Sequence, residues 1–432
     1  MIADIKSRTR EELEVTFKTW SQPAYRLSQL LEWLYVHRVT EWDAMTNLPK
    51  TLRELLRQSF SLQPLELVCQ RGSRDATRKF LWRLADRSLV ESVLLPANPS
   101  LYGEPADRHT LCVSTQVGCA YGCKFCASGL DGWKRNLRVE EIVEQVVAVE
   151  RWNAARPGET PHSTAGDQPS QEFIAAPLAA IADESGLDKD AFQHGRGFPP
   201  ARREVDSDSI GLVSTVESGA TVPGGAARVI NNLVIMGMGE PLANYDHLLK
   251  ALGILNAAWG GGIGARKITI STSGLAPQIR KLAGEPLQFR LAISLHGATD
   301  ETRNRLMPVN RKYPLRELIA ACEYYQAKKG GLITFEYILI AGVNDAIAET
   351  KSLAQLARRL HAKVNLIPYN QVEGLDWARP DEARQEAFLA ALEKLKVSAT
   401  LRREKGHDID AACGQLRLQT ERELAPVKTG EA

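Results

Sequence analysis

The sequence predicts an α/β fold in which six parallel strands and their helices form a partial (β/α)6 barrel or a strongly curved open sheet. Short β-rich runs alternate with helical stretches after about residue 111, an order typical of parallel βαβ units. Hydrophobic residues make up 44% of the 432 residues, which is enough for a large core. The strand candidates are 111–115, 231–237, 267–272, 290–296, 333–340 and 363–368.

Helical stretches lie between these strands, and they include 139–152, 246–255, 315–327 and 349–360. In barrels of this kind the reactive side chains lie at the carboxyl ends of the strands. We therefore expect the functional site at that end of a domain that spans 105–418.

Two smaller regions precede the barrel. Residues 1–75 are predicted to form a helical domain, because a largely apolar stretch follows the helix-start signals Ser21 and Pro23. Such a module could be a scaffold or an RNA-contacting domain, and periodicity does not decide between them. In the linker 76–104, two alternating runs around Ala85-Asp86-Arg87 predict a β-hairpin.

Residues 156–228 interrupt the alternation of strands and helices. They contain seven prolines but no Trp, Tyr or Cys. This composition predicts a flexible or disordered insertion, with a partner-binding arm as the alternative. A charged tail is assigned to residues 419–432.

The charge is unevenly distributed. The insertion 156–228 has eleven acidic and six basic residues, a net charge of −5, which leaves +7 for the rest of a chain whose total is +2. A mildly basic body can face RNA phosphates, although ordinary surface charge explains the number equally well.

The expected compartment is the cytoplasm. No stretch approaches the ~18 apolar residues of a membrane helix, and the N-terminal residues lack the apolar core of a signal peptide. The cysteines number seven, and an odd count fits a reducing cytosol better than a disulfide framework.

Three cysteines, Cys119, Cys123 and Cys126, stand in a C-x3-C-x2-C pattern directly after a predicted strand. Thiolates are soft ligands that suit iron–sulfur clusters or zinc. Three thiolates leave one iron of a four-iron cluster open, and the amine and carboxylate of S-adenosylmethionine (SAM) could chelate it. The pattern therefore predicts a [4Fe-4S] cluster that cleaves SAM. Structural zinc is the alternative, with a fourth ligand from Cys112 or Cys413.

Polar groups also stand where predicted strands end. Gly239 and Glu240 follow one strand, Ser271 and His296 end the next two, and Asn370 follows a later one. Each alone is more often a turn or core residue. Because the carboxyl ends of parallel strands meet at one mouth, we expect the set to converge on a ligand.

These motifs resemble those of the RlmN/Cfr family of radical SAM RNA adenine methyltransferases, and they are most similar to the RlmN branch. The matching stretches run in the family's order from about residue 20 to about 418, and the insertion is the main part without a match. They include TLCVSTQVGCAYGCKFC, VIMGMGEPLANYD, LAISLHGATDETRNRLMPVN and DIDAACGQL. Ser128, where many relatives have Thr, and Trp133, near which they have Phe, are mild departures.

The resemblance implies a radical SAM barrel with a defined SAM site. Gly239 and Glu240 match positions that contact the amino group of SAM. The other matching positions that line the SAM site are Ser271, Ser294, Leu295, His296 and Asn370.

The resemblance also implies roles for two isolated cysteines and a glutamate. Cys413 matches the cysteine that carries a methyl group from one SAM, and Cys112 matches the one that resolves the protein–RNA adduct through a transient disulfide with it. Glu91 matches the general base. Without the resemblance, a lone cysteine is most often a small buried residue, as we expect for Cys69 and Cys322.

The implied activity is methylation of carbon 2 of adenosine in 23S rRNA and in tRNA. The implied partners are these RNAs and an electron donor such as flavodoxin or ferredoxin, and the protein is expected to be a monomer. With this resemblance, the helical domain 1–75 is expected to contact the RNA, partly by shape and stacking. Methylation of carbon 8, as in the Cfr branch, is one alternative, because the cysteines do not separate the two reactions. A zinc-stabilised RNA-binding protein without catalysis is another.

Overall fold

A computed structural model describes residues 2–73, 77–96, 109–156, 172–173, 228–372, 374–402 and 414–424. Its strands are β1 (Glu66–Gly72), β2 (Arg78–Arg83), β3 (Leu89–Leu95), β4 (Thr110–Cys112), β5 (Gln116–Gly118), β6 (Trp133–Asn136), β7 (Glu172–Phe173), β8 (Asn232–Ile235), β9 (Ile268–Thr272), β10 (Arg290–Ser294), β11 (Ile333–Leu339), β12 (Lys363–Pro368) and β13 (Ala399–Leu401). Eleven of these form one sheet in the order β13-β12-β11-β10-β9-β8-β4-β3-β2-β1-β7, while β5 and β6 pair separately.

The parallel half of the main sheet contains β4 and β8 to β13, each parallel to its neighbour. All six predicted strands are present, so the prediction of an α/β fold with a partial barrel is confirmed. A seventh parallel strand, β13, adds to the edge beside β12. The sequence did not indicate β13, because it has only three residues and none of them is fully buried.

The helices predicted between the strands are present. The α-helices in the described part of the chain are α1 (Arg10–Thr19), α2 (Ala24–Glu32), α3 (Lys50–Ser59), α4 (Val139–Ala154), α5 (Tyr245–Asn256), α6 (Ala276–Ala283), α7 (Asp300–Leu306), α8 (Leu315–Lys329), α9 (Glu349–Arg359), α10 (Glu382–Lys394) and α11 (Gln415–Leu424). Short 3-10 turns span Ile5–Ser7, Trp42–Ala44, Ala127–Gly129, Pro241–Asn244, Ala265–Lys267 and Pro308–Arg311, and a π turn spans Trp33–His37. No helix in the described part of the chain is long and apolar enough to span a membrane.

The N-terminal helices begin with a well-formed cap. The Thr9 hydroxyl accepts a bond from the Glu12 amide at 3.3 Å, and the Glu12 carboxylate accepts one from the Thr9 amide at 2.8 Å. The apolar faces of α1 to α3 join the main hydrophobic core. Lys6 Nζ, which is buried, lies 2.9 Å from Glu144 in α4, so an ion pair also ties this region to the barrel.

The antiparallel half of the sheet corrects one prediction and confirms another. The helical prediction for 1–75 is wrong at Glu66–Gly72, which form β1; this strand has only two buried side chains and hence a weak apolar signal. The predicted hairpin is present as β2 and β3, and β3 pairs with β4, so the hairpin continues the barrel sheet.

Each of the predicted regions falls partly outside the described residues. Within the predicted insertion, only residue 156, the backbone of β7, which pairs with β1, and residue 228 are described. In the predicted tail, residues 419–424 belong to α11 and 425–432 lie outside the description. Cys413 also lies outside it.

Candidate active site

A cavity of about 340 Å³ opens at the carboxyl ends of the parallel strands, where the sequence placed the site. Leu295 is fully buried behind its wall, where its amide donates to the Glu336 carbonyl at 3.0 Å. Cys112 lines the cavity. So do all the other residues predicted to hold the cluster or SAM, which are Cys119, Cys123, Cys126, Gly239, Glu240, Ser271, Ser294, His296 and Asn370.

The three cluster cysteines lie on the loop that joins β5 to β6, hereafter the cluster loop (residues 119–132). The Cys119 amide donates to the Gly132 carbonyl at 2.9 Å and closes the loop at its base. The Lys124 amide, between two of the cysteines, donates to the Leu306 carbonyl at 2.9 Å. The loop is therefore fixed both to its own strands and to the end of α7.

The donor set fits a [4Fe-4S] cluster. Burial raises the pKa of the Cys119 thiol to about 12 and that of Cys123 well above its usual value, so their thiolate forms require a positive partner such as iron. In the described part of the chain, no group of three or more His, Cys, Asp or Glu side chains is arranged to hold a single metal ion. A [4Fe-4S] cubane requires a wider arrangement of ligands, because each thiolate binds a different iron atom.

Glu240 is held at the cavity by a tight turn after β8. The φ angle of Gly239 is +102°, and a Cβ atom there would lie 2.5 Å from the Gln116 side chain, so only glycine fits. The Glu240 carboxylate accepts bonds from the amides of Leu242 at 3.0 Å and Ser273 at 2.6 Å. Burial raises the pKa of the Glu240 carboxyl, and the amide bonds oppose that shift. A ligand ammonium would supply the missing counter-charge.

One buried polar atom of the cavity lining, Asn370 Oδ1, has no hydrogen-bond partner among the residues that the structure describes. The hydroxyls of Ser271 and Ser294, which also line the cavity, lie 3.3 Å apart. A buried polar atom without a partner is costly, so this lining favours a ligand with polar groups, as SAM has.

His296 is a neutral side chain with a defined tautomer. Its backbone is left-handed, with φ of +55°, and its Nδ1 accepts a bond from the Ile338 amide at 3.1 Å. Burial, with a smaller effect from Arg303, lowers the pKa of His296 to about 3. The proton is therefore on Nε2, which can donate to a ligand. The Phe125 ring of the cluster loop meets the imidazole edge-on, with ring centroids 4.7 Å apart.

Comparison with known proteins identifies the family of this chain. Residues 225–354 match the radical SAM superfamily, and residues 3–62 match the ribosomal RNA large subunit methyltransferase N-terminal domain. A probable dual-specificity RNA methyltransferase RlmN 3 of Opitutus terrae is 46% identical over 98% of both chains. A probable dual-specificity RNA methyltransferase RlmN of Akkermansia muciniphila is 43% identical over 97% of this chain and 96% of that one.

The chain belongs to the RlmN family of radical SAM RNA methyltransferases. The crystal structure of a radical SAM methyltransferase from Sphaerobacter thermophilus matches with a TM-score of 0.74 and 37% identity, over 96% of this chain and 98% of that chain. Membership implies a [4Fe-4S] cluster and SAM, in agreement with the cavity.

Glu91, the general base expected from the RlmN family, lies in β3 and does not belong to the cavity wall. Its buried carboxylate lies 3.1 Å from the buried Lys79 Nζ. It also accepts bonds from the amides of Gly414 at 2.7 Å and Arg417 at 2.6 Å. Glu91 therefore caps the first turn of α11 and holds the residue that directly follows Cys413.

Cys112 lies at the end of β4, opposite Val93 of β3, and both line the cavity. Glu91 is two residues before Val93, so its side chain is on the same face of the sheet as Cys112. The pairing of Cys112 with Cys413 stays a prediction. Cys69 and Cys322 are buried in hydrophobic clusters, as expected.

Two buried charged residues of the site were not foreseen. Glu336 in β11 lines the cavity, accepts a bond from Asn365 Nδ2 at 2.7 Å, and has a pKa raised by burial. Glu336 is the one acidic residue in the otherwise largely apolar run ITFEYILI, and this could have marked it as a candidate site residue from the sequence. Arg303 in α7 is fully buried behind the cavity, and its sequence, ETRNRL, is that of an ordinary exposed helix.

Proposed function

We propose that this protein methylates carbon 2 of adenosine in 23S rRNA and in tRNA, through an S-methylcysteine on Cys413 and two molecules of SAM. One observation carries the proposal: Cys112, a cysteine that cluster binding does not need, lines the same cavity as the three cluster cysteines and Glu240. A thiol beside a SAM site can act on a sulfur-linked intermediate.

The cysteines have distinct tasks in this proposal. The Cys413 thiolate attacks the methyl carbon of one SAM, so S-adenosylhomocysteine leaves and Cys413 becomes S-methylcysteine. The cluster, when bound, would supply the electron that cleaves the second SAM into methionine and a 5′-deoxyadenosyl radical, and this radical would remove one hydrogen atom from the methyl group. The methylene carbon on Cys413 would then bond to the adenine ring, the ring would return one electron to the oxidised cluster and lose its proton to Glu91, and Cys112 would attack the Cys413 sulfur. The S–S bond forms, the sulfur–carbon bond breaks, and its electrons and a proton complete the new methyl group.

Glu91 has two tasks in the proposal. In the described conformation its carboxylate anchors α11 through Gly414 and Arg417, which holds the segment that follows Cys413 near the face of Cys112. To accept the ring proton, one carboxylate oxygen must first leave an amide or Lys79. Glu91→Gln keeps the size of the side chain, but its NH2 group cannot accept a hydrogen bond or a proton, so both tasks are impaired together. Glu91→Asp keeps two acceptor oxygens and therefore separates the two tasks better.

Surface features of the cluster loop support RNA as the substrate. Leu130 and Trp133, at the end of the loop and the start of β6, are 42% and 48% exposed. Lys124 is exposed and forms no ion pair with any residue that the structure describes. Exposed aromatic and cationic groups suit RNA bases and phosphates. The match of residues 3–62 to a ribosomal RNA methyltransferase domain and the dual-specificity names of relatives support two RNA classes.

Product analysis tests the proposal. The anaerobically reconstituted protein, reduced by flavodoxin or ferredoxin, is incubated with 23S rRNA and with tRNA, and the nucleosides are identified by mass spectrometry. We expect 2-methyladenosine from both RNAs. Mainly 8-methyladenosine would indicate the Cfr-type reaction. Zinc without iron or sulfide in the anaerobically purified protein, before reconstitution, would indicate the non-catalytic alternative.

Two cysteine variants test the intermediate. We expect Cys413→Ala to carry no methyl group and to form no product. We expect Cys112→Ala to accumulate RNA covalently bound to protein, because nothing then attacks the sulfur. Cys322→Ala, at a buried site away from the cavity, is the matched control. A Cys112→Ala protein that turns over normally would remove the resolving role.

A further inference from the structure

Arg303 is a buried cation that hydrogen-bonds to neutral groups. Its Nη1 donates to the carbonyls of Ser294 at 2.9 Å and Leu295 at 2.5 Å, and its Nη2 donates to the carbonyl of Ser273. Its Nε donates to Asn310 Oδ1 at 2.9 Å. Among the residues that the structure describes, no carboxylate forms an ion pair with this guanidinium.

These bonds join the ends of two strands that build the SAM site. Ser273 follows β9 and Ser294 ends β10, and both line the cavity. The planar guanidinium reaches both strand ends at once, a geometry that a lysine cannot copy. Arg303 itself does not line the cavity, so it acts through the residues that it holds.

The buried charge requires an anion, and the cluster loop supplies one when its thiols bind iron. Arg303 does not hydrogen-bond to Asp300 directly. The two residues are joined through Asn310, whose Nδ2 donates to Asp300 at 2.8 Å. Burial lowers the pKa of Arg303 to about 10, and the proximity of Cys123 opposes this shift. The Lys124–Leu306 backbone bond at 2.9 Å fixes the cluster loop against the same helix.

We propose that Arg303 is a positioning residue that fixes the ends of β9 and β10 at the SAM site and provides the positive charge that balances the cluster thiolates. Reduction adds one negative charge to the cluster. A nearby buried cation favours that state, because Coulomb interactions are strong where water is excluded. Arg303 therefore links SAM binding and the reduction potential through one side chain.

Two substitutions separate charge from geometry. Arg303→Lys keeps the charge but loses the two-strand contact, and Arg303→Gln loses both. The reconstituted proteins are compared, without RNA, by the midpoint potential of the cluster and by equilibrium binding of SAM. We expect Arg303→Lys to keep a potential near that of the wild type and to bind SAM about tenfold more weakly. We expect Arg303→Gln to bind SAM at least as weakly and to have a more negative potential.

Arg305→Gln is the matched control, because it removes an exposed arginine from the same helix. It should leave both quantities at wild-type values. A wild-type potential in Arg303→Gln, or wild-type SAM affinity in Arg303→Lys, would overturn the proposal. If Arg303→Gln does not fold, the SAM affinity of Arg303→Lys decides. Because no RNA is present, these results are independent of which adenine carbon is methylated.

Discussion

The two halves of the sheet satisfy buried charge in different ways. In the parallel half, Glu240 is bound by backbone amides and Arg303 by backbone carbonyls and an amide side chain, so neither has a counter-ion among the residues that the structure describes. In the antiparallel half, Glu91 has the buried Lys79 as a direct partner. The parallel half is therefore prepared for charged ligands, whereas the antiparallel half uses its charge to hold α11.

The largest expected effect is loss of the cluster in the parallel half. Cys126→Ala removes one of three thiolates, and two thiolates together with SAM do not hold a four-iron cluster firmly. We expect the iron and sulfide content to fall to near zero and methylation to be abolished. Cys322→Ala should keep both. A Cys126→Ala protein with a full iron content would show that another ligand replaces Cys126.

The next largest effect should be on the stability of the antiparallel half. Lys79→Met leaves the Glu91 carboxylate buried without its cation, and the loss of one partner from a buried pair costs about 3–5 kcal/mol. We expect the free energy of unfolding, measured by urea denaturation, to fall by about 3 kcal/mol, since two amide bonds to Glu91 remain.

The double variant Lys79→Met/Glu91→Gln is the control for this effect. It should recover part of the lost stability, because no charge is then left unpaired. If the single and double variants are equally stable, the ion pair does not stabilise this half, and the contrast with Arg303 is lost.

A smaller effect is expected on ligand binding in the parallel half. Glu240→Gln loses the charge that we expect to pair with the SAM ammonium, and it loses one acceptor for a backbone amide. Charge-assisted bonds contribute about 1.5–3 kcal/mol, so the Kd for SAM should rise roughly 10- to 150-fold. Ser271→Ala, which removes only a long 3.3 Å contact, should change the Kd a few-fold at most. Equal effects of the two variants would argue against the ammonium contact.

The parallel half was the more predictable from sequence. Its strands other than β13 are apolar runs, and the functional groups that were predicted stand at strand ends or in a short cysteine motif, so local pattern is sufficient for them. The contacts of Glu91 with Gly414 and Arg417 join residues 323 and 326 positions apart. No local pattern contains such information. Arg303 was missed for a related reason: its partners are backbone carbonyls, which every sequence has.

The smallest predicted effect concerns a surface link between the antiparallel half and the separate β5–β6 pair. Asp86, in the β2–β3 turn, accepts a bond from Arg135 of β6 at 2.7 Å, and this bond lowers the pKa of Asp86 to about 2. Because the folded pKa lies below the unfolded value of 3.8, the stabilisation is complete above about pH 4 and is lost as the pH falls towards 2.

The Asp86 side chain is 46% exposed, so solvent screening limits this contribution to about 0.5–1 kcal/mol. We expect Asp86→Asn to lower the free energy of unfolding by that amount at pH 7 and to have no effect near pH 2. Urea denaturation at both pH values measures the difference. Asp43→Asn, which removes a more exposed carboxylate (75% exposed) paired with Arg57, is the matched control and should have a smaller effect. An Asp86 effect that persists at pH 2 would mean that packing, rather than charge, joins the hairpin to β6.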